Sequence, residues 1–250
     1  MSGHSKWHNI KLRKGKVDAQ RGALFTKLSK EIILAAKSGY PDPEANFRLK
    51  VAVEKARENN MPLDNIKRAI ARASGGEGGK EIEEMRYEGY GPAGVAVILD
   101  VATDNRNRTA GELRFLFGRH GGSLGENGSV AWMFEPRGFI EVEHGKLDED
   151  ALTEVALVDG VVDLRYGVGE GRSEIVTEPA ALAAVRERMA ERGIRVTSTT
   201  LGFDPKQSIA PNGEQLREVV NFLDALDEHE DVQRVFSNAE LDVAQLEALA

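Results

Sequence analysis

The spacing of apolar positions divides the chain into a helical opening and a longer stretch that mixes strands with helices. Leu24, Leu28, Ile32 and Ala35 recur every three or four residues, which predicts a helix over about 19–37, capped by Asp18 and stopped at Gly39. Asp42 followed by Pro43 reads as a cap and a first-turn proline, opening a second helix that runs towards Asn59. Pro62 opens a third, with Leu63, Ile66, Ala69, Ile70 and Ala73 apolar, ending at Gly75-Gly76. Residues 1–17 hold only Trp7, Ile10, Leu12 and Val17 as sizeable apolar groups. That is too little to bury, and the segment reads as an extended arm.

Glycines at 75, 76, 78 and 79 mark a hinge, and beyond them the period changes. Strands are predicted at 85–89 and 94–102, a helix over about 104–119, and a strand at 130–134 after a glycine-rich loop. The next elements are a strand at 138–142, a helix at 148–158, strands at 161–166 and 173–177, a helix at 179–191 and a strand at 194–198. That order, β-α-β-β-α-β, is ferredoxin-like. A helix at 213–226 and a strand at 232–236 cannot bury their apolar faces alone, so they are expected to return to the sheet of residues 80–135. The predicted fold class is α+β with three domains. Residues 1–79 form the basic arm and a helical bundle, 80–135 and 200–250 a discontinuous α+β domain, and 136–199 a ferredoxin-like domain inserted in it.

Composition narrows the function classes. The chain has 250 residues and no cysteine, which excludes disulfide scaffolds, Cys-ligated zinc, iron–sulfur clusters and thiol catalysis. No segment reads as a signal peptide or a membrane span, so a cytoplasmic protein without a membrane partner is expected. The net charge of −8 conceals an asymmetry: residues 1–79 carry 16 Lys/Arg against 8 Asp/Glu, a net of +8, and the remainder carries 17 against 33, a net of −16. Such a division suits a basic module for a polyanion carried on an acidic body.

Catalytic and cofactor motifs fail on context. Gly121-Gly122-Ser123-Leu124-Gly125 fits G-x-S-x-G, but a helix precedes it and a strand follows, the reverse of a nucleophile elbow. Gly167, Gly169 and Gly171 lie between two strands and read as a hairpin turn rather than a dinucleotide fingerprint. No phosphate-cradling G-x-x-x-x-G-K-S/T sequence occurs, and His4 with His8 lacks a carboxylate to complete a metal site. No cofactor, metal or catalytic residue is expected; an enzyme built on a composite pocket is the alternative class.

The arm carries the strongest chemical signal. His4, Ser5, Lys6, Trp7, Lys11, Arg13, Lys14 and Lys16 interleave phosphate-neutralising groups with one large aromatic. Trp7 either stacks on an unpaired base or closes over the bundle as a lid. Arg21, Lys27 and Lys30 extend the charge along the first helix, and Lys67, Arg68 and Arg72 line the third, either as one continuous face or as two solvated ones. No convincing helix-turn-helix pattern precedes that third helix. Asn105, Arg106, Asn107 and Arg108 stand at a strand-to-helix junction, a second candidate for holding a phosphate or a partner's carboxylate; the alternative is a capped helix start with two solvated arginines.

These residues, taken together, resemble the YebC/PmpR family. The opening Met1-Ser2-Gly3-His4-Ser5-Lys6-Trp7 with Asn9-Ile10-Lys11, then Asp18-Ala19-Gln20-Arg21-Gly22 and Phe25-Thr26-Lys27-Leu28, are similar to its N-terminal signature. So are Tyr87-Glu88-Gly89-Tyr90-Gly91-Pro92, the run from Thr103 to Thr109, and Gly121-Gly122 with Ser129-Val130. The resemblance implies a helical domain followed by two α+β domains, one inserted in the other, and a non-enzymatic regulator of gene expression. Members are generally described as DNA-binding transcriptional regulators, while others are tied to translation and to ribosomes stalled at proline-rich stretches. The partner is therefore ribosomal RNA or DNA. The glycine-containing arm with one aromatic inclines the sequence reading towards the ribosome.

Overall fold

The computed structural model describes residues 19–75, 80–145, 147–169 and 171–241. Three helices open it: α1 (Ala19–Lys37), α2 (Phe47–Glu58) and α3 (Leu63–Ala73). The second helix begins five residues after Asp42. Asp42 instead closes a local turn by accepting from the Glu44 N–H at 3.0 Å, while the Asn46 side chain caps the helix by accepting from the Leu49 N–H at 3.1 Å. Asn46 also donates to the carbonyls of Ala35 and Tyr40, so the same residue ties the α1–α2 connection. Its amide offers both a donor and an acceptor, which a carboxylate at that place would not.

A four-residue turn, 59–62, joins α2 to α3. Asn60 takes φ 57°, its N–H bonds the Arg57 carbonyl, and the Met61 N–H bonds that of Ala56. This is a Schellman closure with asparagine in the left-handed position, and the buried Met61 seals it. Leu28, Ile32, Leu49, Val53, Met61 and Ile66 form the bundle core, which continues into Ile82 and, on the first sheet, Ala102.

That sheet has the order β3-β1-β2-β8, with β1 (Glu83–Tyr90), β2 (Ala96–Thr103), β3 (Ser123–Leu124) and β8 (Val232–Ser237). α4 (Arg106–Arg119) follows β2, and α7 (Gly213–Glu228) precedes β8. The strand expected at 130–134 is a single 3-10 turn, Ala131–Met133; the short β3 takes the edge of β1 instead, pairing Leu124 with Gly89 and Ser123 with Tyr90. Gly89 permits that approach, since a Cβ there would meet the Ser123 carbonyl and the Phe117 ring. Gly91 likewise lies flat against Phe222, whose ring meets Phe117 edge to face at a centroid distance of 5.0 Å.

Between β3 and α7 the chain builds a second sheet from β4 (Phe134–Glu143), β5 (Val161–Gly169), β6 (Arg172–Thr177) and β7 (Arg195–Pro205), with α5 (Glu149–Ala156) and α6 (Leu182–Glu191) intervening. The order is β5-β6-β4-β7, and the pairings β4–β6, β4–β7 and β5–β6 are antiparallel: the ferredoxin-like arrangement expected from element order. Ile140 and Val142 of β4 point to one face, where they meet Leu152, Val185 and Met189 of the two helices. On this sheet Arg165 is buried with its guanidinium bonded to Glu174 at 2.9 Å and Asp204 at 2.6 Å. The described chain forms two compact units. One holds α1 to α4 and β1 to β3 with Glu218–Val235; the other holds Val130–Arg217 and the described residues from Phe236 on. Among the described residues no helix is long and apolar enough to cross a membrane.

Candidate nucleic-acid interface

The predicted arm residues His4, Ser5, Lys6, Trp7, Lys11, Arg13, Lys14 and Lys16 lie outside the described residues, and Arg21 falls in the first turn of α1. Lys27 and Lys30 are drawn into the molecule. The Lys27 ammonium donates to the Asp227 carbonyl, and Lys30 donates to the Glu230 carbonyl at 3.0 Å and to the Asp231 carboxylate. Their partners explain the split. Phe25, Thr26, Ser29 and Ile33 line the side of α1 turned to α3, while Lys27, about 100° further round from Thr26, and Lys30, one turn after Thr26, reach Asp227 and Asp231 ahead of β8.

Asp231 is the centre of a knot that accounts for the Thr103–Thr109 sequence. Its carboxylate is fully buried and accepts from Lys30, from Arg108 Nη2 at 2.8 Å and from Thr109 Oγ1 at 2.6 Å; Thr109 Oγ1 also lies 2.8 Å from Thr103 Oγ1. Burial alone would raise the pKa of such a group. The hydrogen bonds from Lys30, Thr109 and Arg108 and the Lys30 charge outweigh that, holding the carboxyl at about 2. The second candidate site therefore contains an anion of the chain's own: Asn105 caps α4 by accepting from the Arg108 N–H at 3.2 Å, and Arg108 is turned onto Asp231. Arg106 is exposed, with Glu83 at 3.9 Å, and Asn107 is exposed beside it.

Glu112, His229 and Asp231 place donor atoms within 4.8 Å of one another. They do not make a cation site. Asp231 already faces an ammonium and a guanidinium, and the Asp231 N–H donates to His229 Nδ1 at 3.1 Å. That leaves Nε2 as the donor to Glu112, also at 3.1 Å.

The Tyr87–Pro92 sequence forms a latch. Glu88 is buried, its carboxylate accepting from the Gly128 N–H at 2.8 Å and its carbonyl from the Gly125 N–H at 2.8 Å, while the Tyr90 hydroxyl donates to the Ser129 carbonyl at 3.2 Å. These residues shape the 121–129 loop, and Ser123 lies in β3 after a helix, without the strained turn of a nucleophile.

Among the described residues, the cations of the helical module that face solvent without an ion pair are Arg57 of α2 and those of α3. Lys67, Arg68 and Arg72 are exposed and have no carboxylate partner among the described residues. Arg68 bonds the Asn65 side chain and the Asp64 carbonyl, and Arg72 the Lys80 carbonyl at 3.2 Å. Between α3 and α1 runs an open groove of about 340 Å³, with Thr26, Ser29, Asn65, Arg68 and Arg72 along it and Phe25, Ile33 and Ala69 in its floor. A larger groove of about 490 Å³ beside α4 is lined by Glu112 and Glu230, which repel an anion, and by His229, which already faces Glu112. The sequence flagged the α3 cations but not the groove, because pairing them with α1's polar face needs the crossing of two helices.

Comparison with known proteins follows this division of the chain. Residues 5–76 match the TACO1/YebC protein N-terminal domain, and residues 82–239 the TACO1/YebC second and third domain. A probable transcriptional regulatory protein of Pelotomaculum thermopropionicum is 48% identical over 244 residues, covering 97% of this chain and 100% of that protein. One from Dictyoglomus turgidum is 45% identical over 251 residues, covering the whole of both. A crystal structure of a conserved hypothetical protein from Aquifex aeolicus superposes with a TM-score of 0.82 at 42% identity, over 92% of this chain and 95% of that one. With both parts matched and relatives aligned from end to end, the chain belongs to the TACO1/YebC family of regulatory proteins.

Proposed function

We propose that the chain is a non-enzymatic regulator of gene expression that acts by binding DNA through its N-terminal module. The observation that carries this reading is α3. It follows a four-residue turn, the connection length of helix-turn-helix units, and presents Lys67, Arg68 and Arg72 to solvent with no carboxylate among the described residues to quench them. Residues 1–17 add five Lys/Arg and no acid to the N-terminal part of the sequence, and the relatives named transcriptional regulators agree in kind. The acidic remainder, at −16, discourages wrapping by random duplex.

A second reading places the same module on ribosomal RNA. It is favoured by the arm, whose glycines, closely spaced cations and single Trp7 suit irregular phosphate pockets and unstacked bases. Parallel titrations against promoter DNA, random duplex and purified ribosomes separate the two. The DNA reading expects a footprint at least about a thousandfold tighter on a defined promoter than on random duplex. Indifferent DNA binding, with co-sedimentation on ribosomes at physiological salt that is lost on deleting residues 1–17, gives the answer to the ribosome.

A further inference from the structure

Phe115 is 66% exposed in the middle of α4, whose Leu113 and Phe117 are fully buried, and nothing in the fold of its own chain accounts for that. The ring forms one lip of the groove of about 490 Å³, where Leu116 and Gly111 complete the apolar lining and Glu112, His229 and Glu230 the polar side. Glu112 spends Oε2 on His229 and Arg108, which leaves Oε1 open, and the exposed Glu230 carboxylate makes no ion pair among the described residues. A groove of this kind suits an apolar group with a cation close behind it. Helix α4 itself presents that pair. Phe115 and Arg119 are one turn apart on its exposed side, and Arg119 makes no hydrogen bond or ion pair among the described residues. Glu112 and Arg119 are two turns apart, about 10 Å along the axis, so they share a side of the helix. The patch is complementary to its own copy, which is the condition for a two-fold contact.

We propose that two copies of the chain meet on this face, with α4 packed antiparallel against α4 of the second copy about a two-fold axis level with residues 115 and 116. In that register each Phe115 enters the groove of the other copy, and each Arg119 comes level with Glu112 of the other copy, beside its Glu230. Arg114, about 140° round the helix from Arg119, stays outside the contact. The glycines of α4 fit the same arrangement. Gly111 and Gly118 have open space where a Cβ would stand, so the packing of the single chain does not require them, although glycine weakens a helix. Lacking a Cβ, they let a second backbone approach closely. A contact confined to 14 residues of helix is small for a specific interface, so the dimer is a weak one, with a Kd on the order of 10–100 μM. A basic segment of another protein would satisfy the same two acids but would leave Arg119 unused. The dimer does not depend on the nucleic-acid reading; for a nucleic-acid binder it carries two basic modules on one assembly, and the second then binds at a raised effective concentration.

Sedimentation velocity of the full chain, from about 5 to about 500 μM, tests the contact. Wild type is expected to pass from the mass of one chain to that of two over this range. Phe115→Ser and Arg119→Glu alter only exposed side chains, so each should weaken dimerisation at least about tenfold at an unchanged melting temperature. Glu112→Lys should weaken it too, by setting a lysine against Arg119 of the second copy. Because Glu112 also faces His229 and Arg108, the melting temperature of that variant is measured as well, and Glu112→Gln, which adds no repulsion, should still weaken the dimer about threefold. The mixture is decisive. Arg119→Glu and Glu112→Lys each repel their own copy, yet in the mixed pair both contacts join opposite charges, so mixing the two single variants should restore the dimer to within about threefold of wild type. Wild type that stays monomeric at about 500 μM, a dimer that Phe115→Ser leaves intact, or single variants that stay monomeric when mixed each overturn the proposal. A monomeric chain that binds a lysine- and leucine-rich helical peptide, and loses it on Phe115→Ser, overturns it in favour of a basic segment of another protein.

Discussion

Asp231 shows how much a single carboxylate can organise when three elements converge on it. It receives a lysine from α1, an arginine and a threonine from α4, and its own backbone carbonyl accepts from the Ala102 N–H of β2 at 2.8 Å. Buried ion pairs are poor evidence of net stability, because the charges must first be desolvated. Removing one partner is another matter, since the remaining charges are then stranded. Asp231→Asn should therefore destabilise the chain by about 2–3 kcal/mol, less than the roughly 3–5 of a fully buried pair because Arg108 keeps some solvent, and urea denaturation would read it. The pH dependence follows from the same hydrogen bonds. A carboxyl held at about 2 rather than 3.8 contributes about 2 kcal/mol that is present above about pH 4 and disappears as the pH falls from there through about 2. Asp231→Asn should flatten that part of the stability curve. A variant that loses stability in acid as steeply as wild type would show that other carboxylates govern the transition.

At the level of elements, the glycines divide into those that allow close approach and those that merely soften a helix. Gly91 lies against the Phe222 ring, so Gly91→Ala forces ring or backbone to move and should cost about 1–3 kcal/mol. Gly111, inside α4, has open space where its Cβ would be, so Gly111→Ala should stabilise by about 0.5–1 kcal/mol. Thermal melts of the two variants should move in opposite directions, by roughly 2–4 °C per kcal/mol in a chain of this size. The same elements show where sequence reading succeeds. The ferredoxin-like order is legible because each strand and helix has its own period and its own turn, and α1 is legible from Leu28, Ile32 and their neighbours to its last residue. It fails where the deciding partner is remote. Nothing near Arg108 announces an acid 123 positions away, nothing near Lys30 one 201 positions away, and β3 is invisible as two residues whose strand character comes wholly from the edge of β1. Asp42 against Asn46 is a subtler miss: both are good caps, and the choice is made by the α1 carbonyl that Asn46 can also satisfy.

For the molecule as a whole, the governing quantity is the separation of charge between a module at +8 and a body at −16. A polyanion is attracted by the basic residues and repelled by the acidic ones, which biases the encounter before any specific interaction forms. The arm supplies five of the sixteen Lys/Arg of residues 1–79 with no acid among its first seventeen positions, and those residues hold too little apolar material to add to a core. Reversing charge at Lys11, Arg13, Lys14 and Lys16 should consequently leave thermal unfolding within about 0.5 kcal/mol of wild type. Binding should respond in a form specific to phosphate neutralisation. For duplex DNA the slope of log K against log salt should become shallower by about 0.9 for each phosphate no longer neutralised, up to roughly 3 to 4 if all four residues touch phosphate. Trp7→Ala separates stacking from packing in the same assay. If Trp7 stacks on a base, its loss should cost about 1–3 kcal/mol of affinity for a single strand at unchanged stability; if it serves as a lid, the free protein should lose stability by a similar amount. An unchanged salt slope after the fourfold reversal would remove the arm from the interface and leave α3 to carry the binding alone.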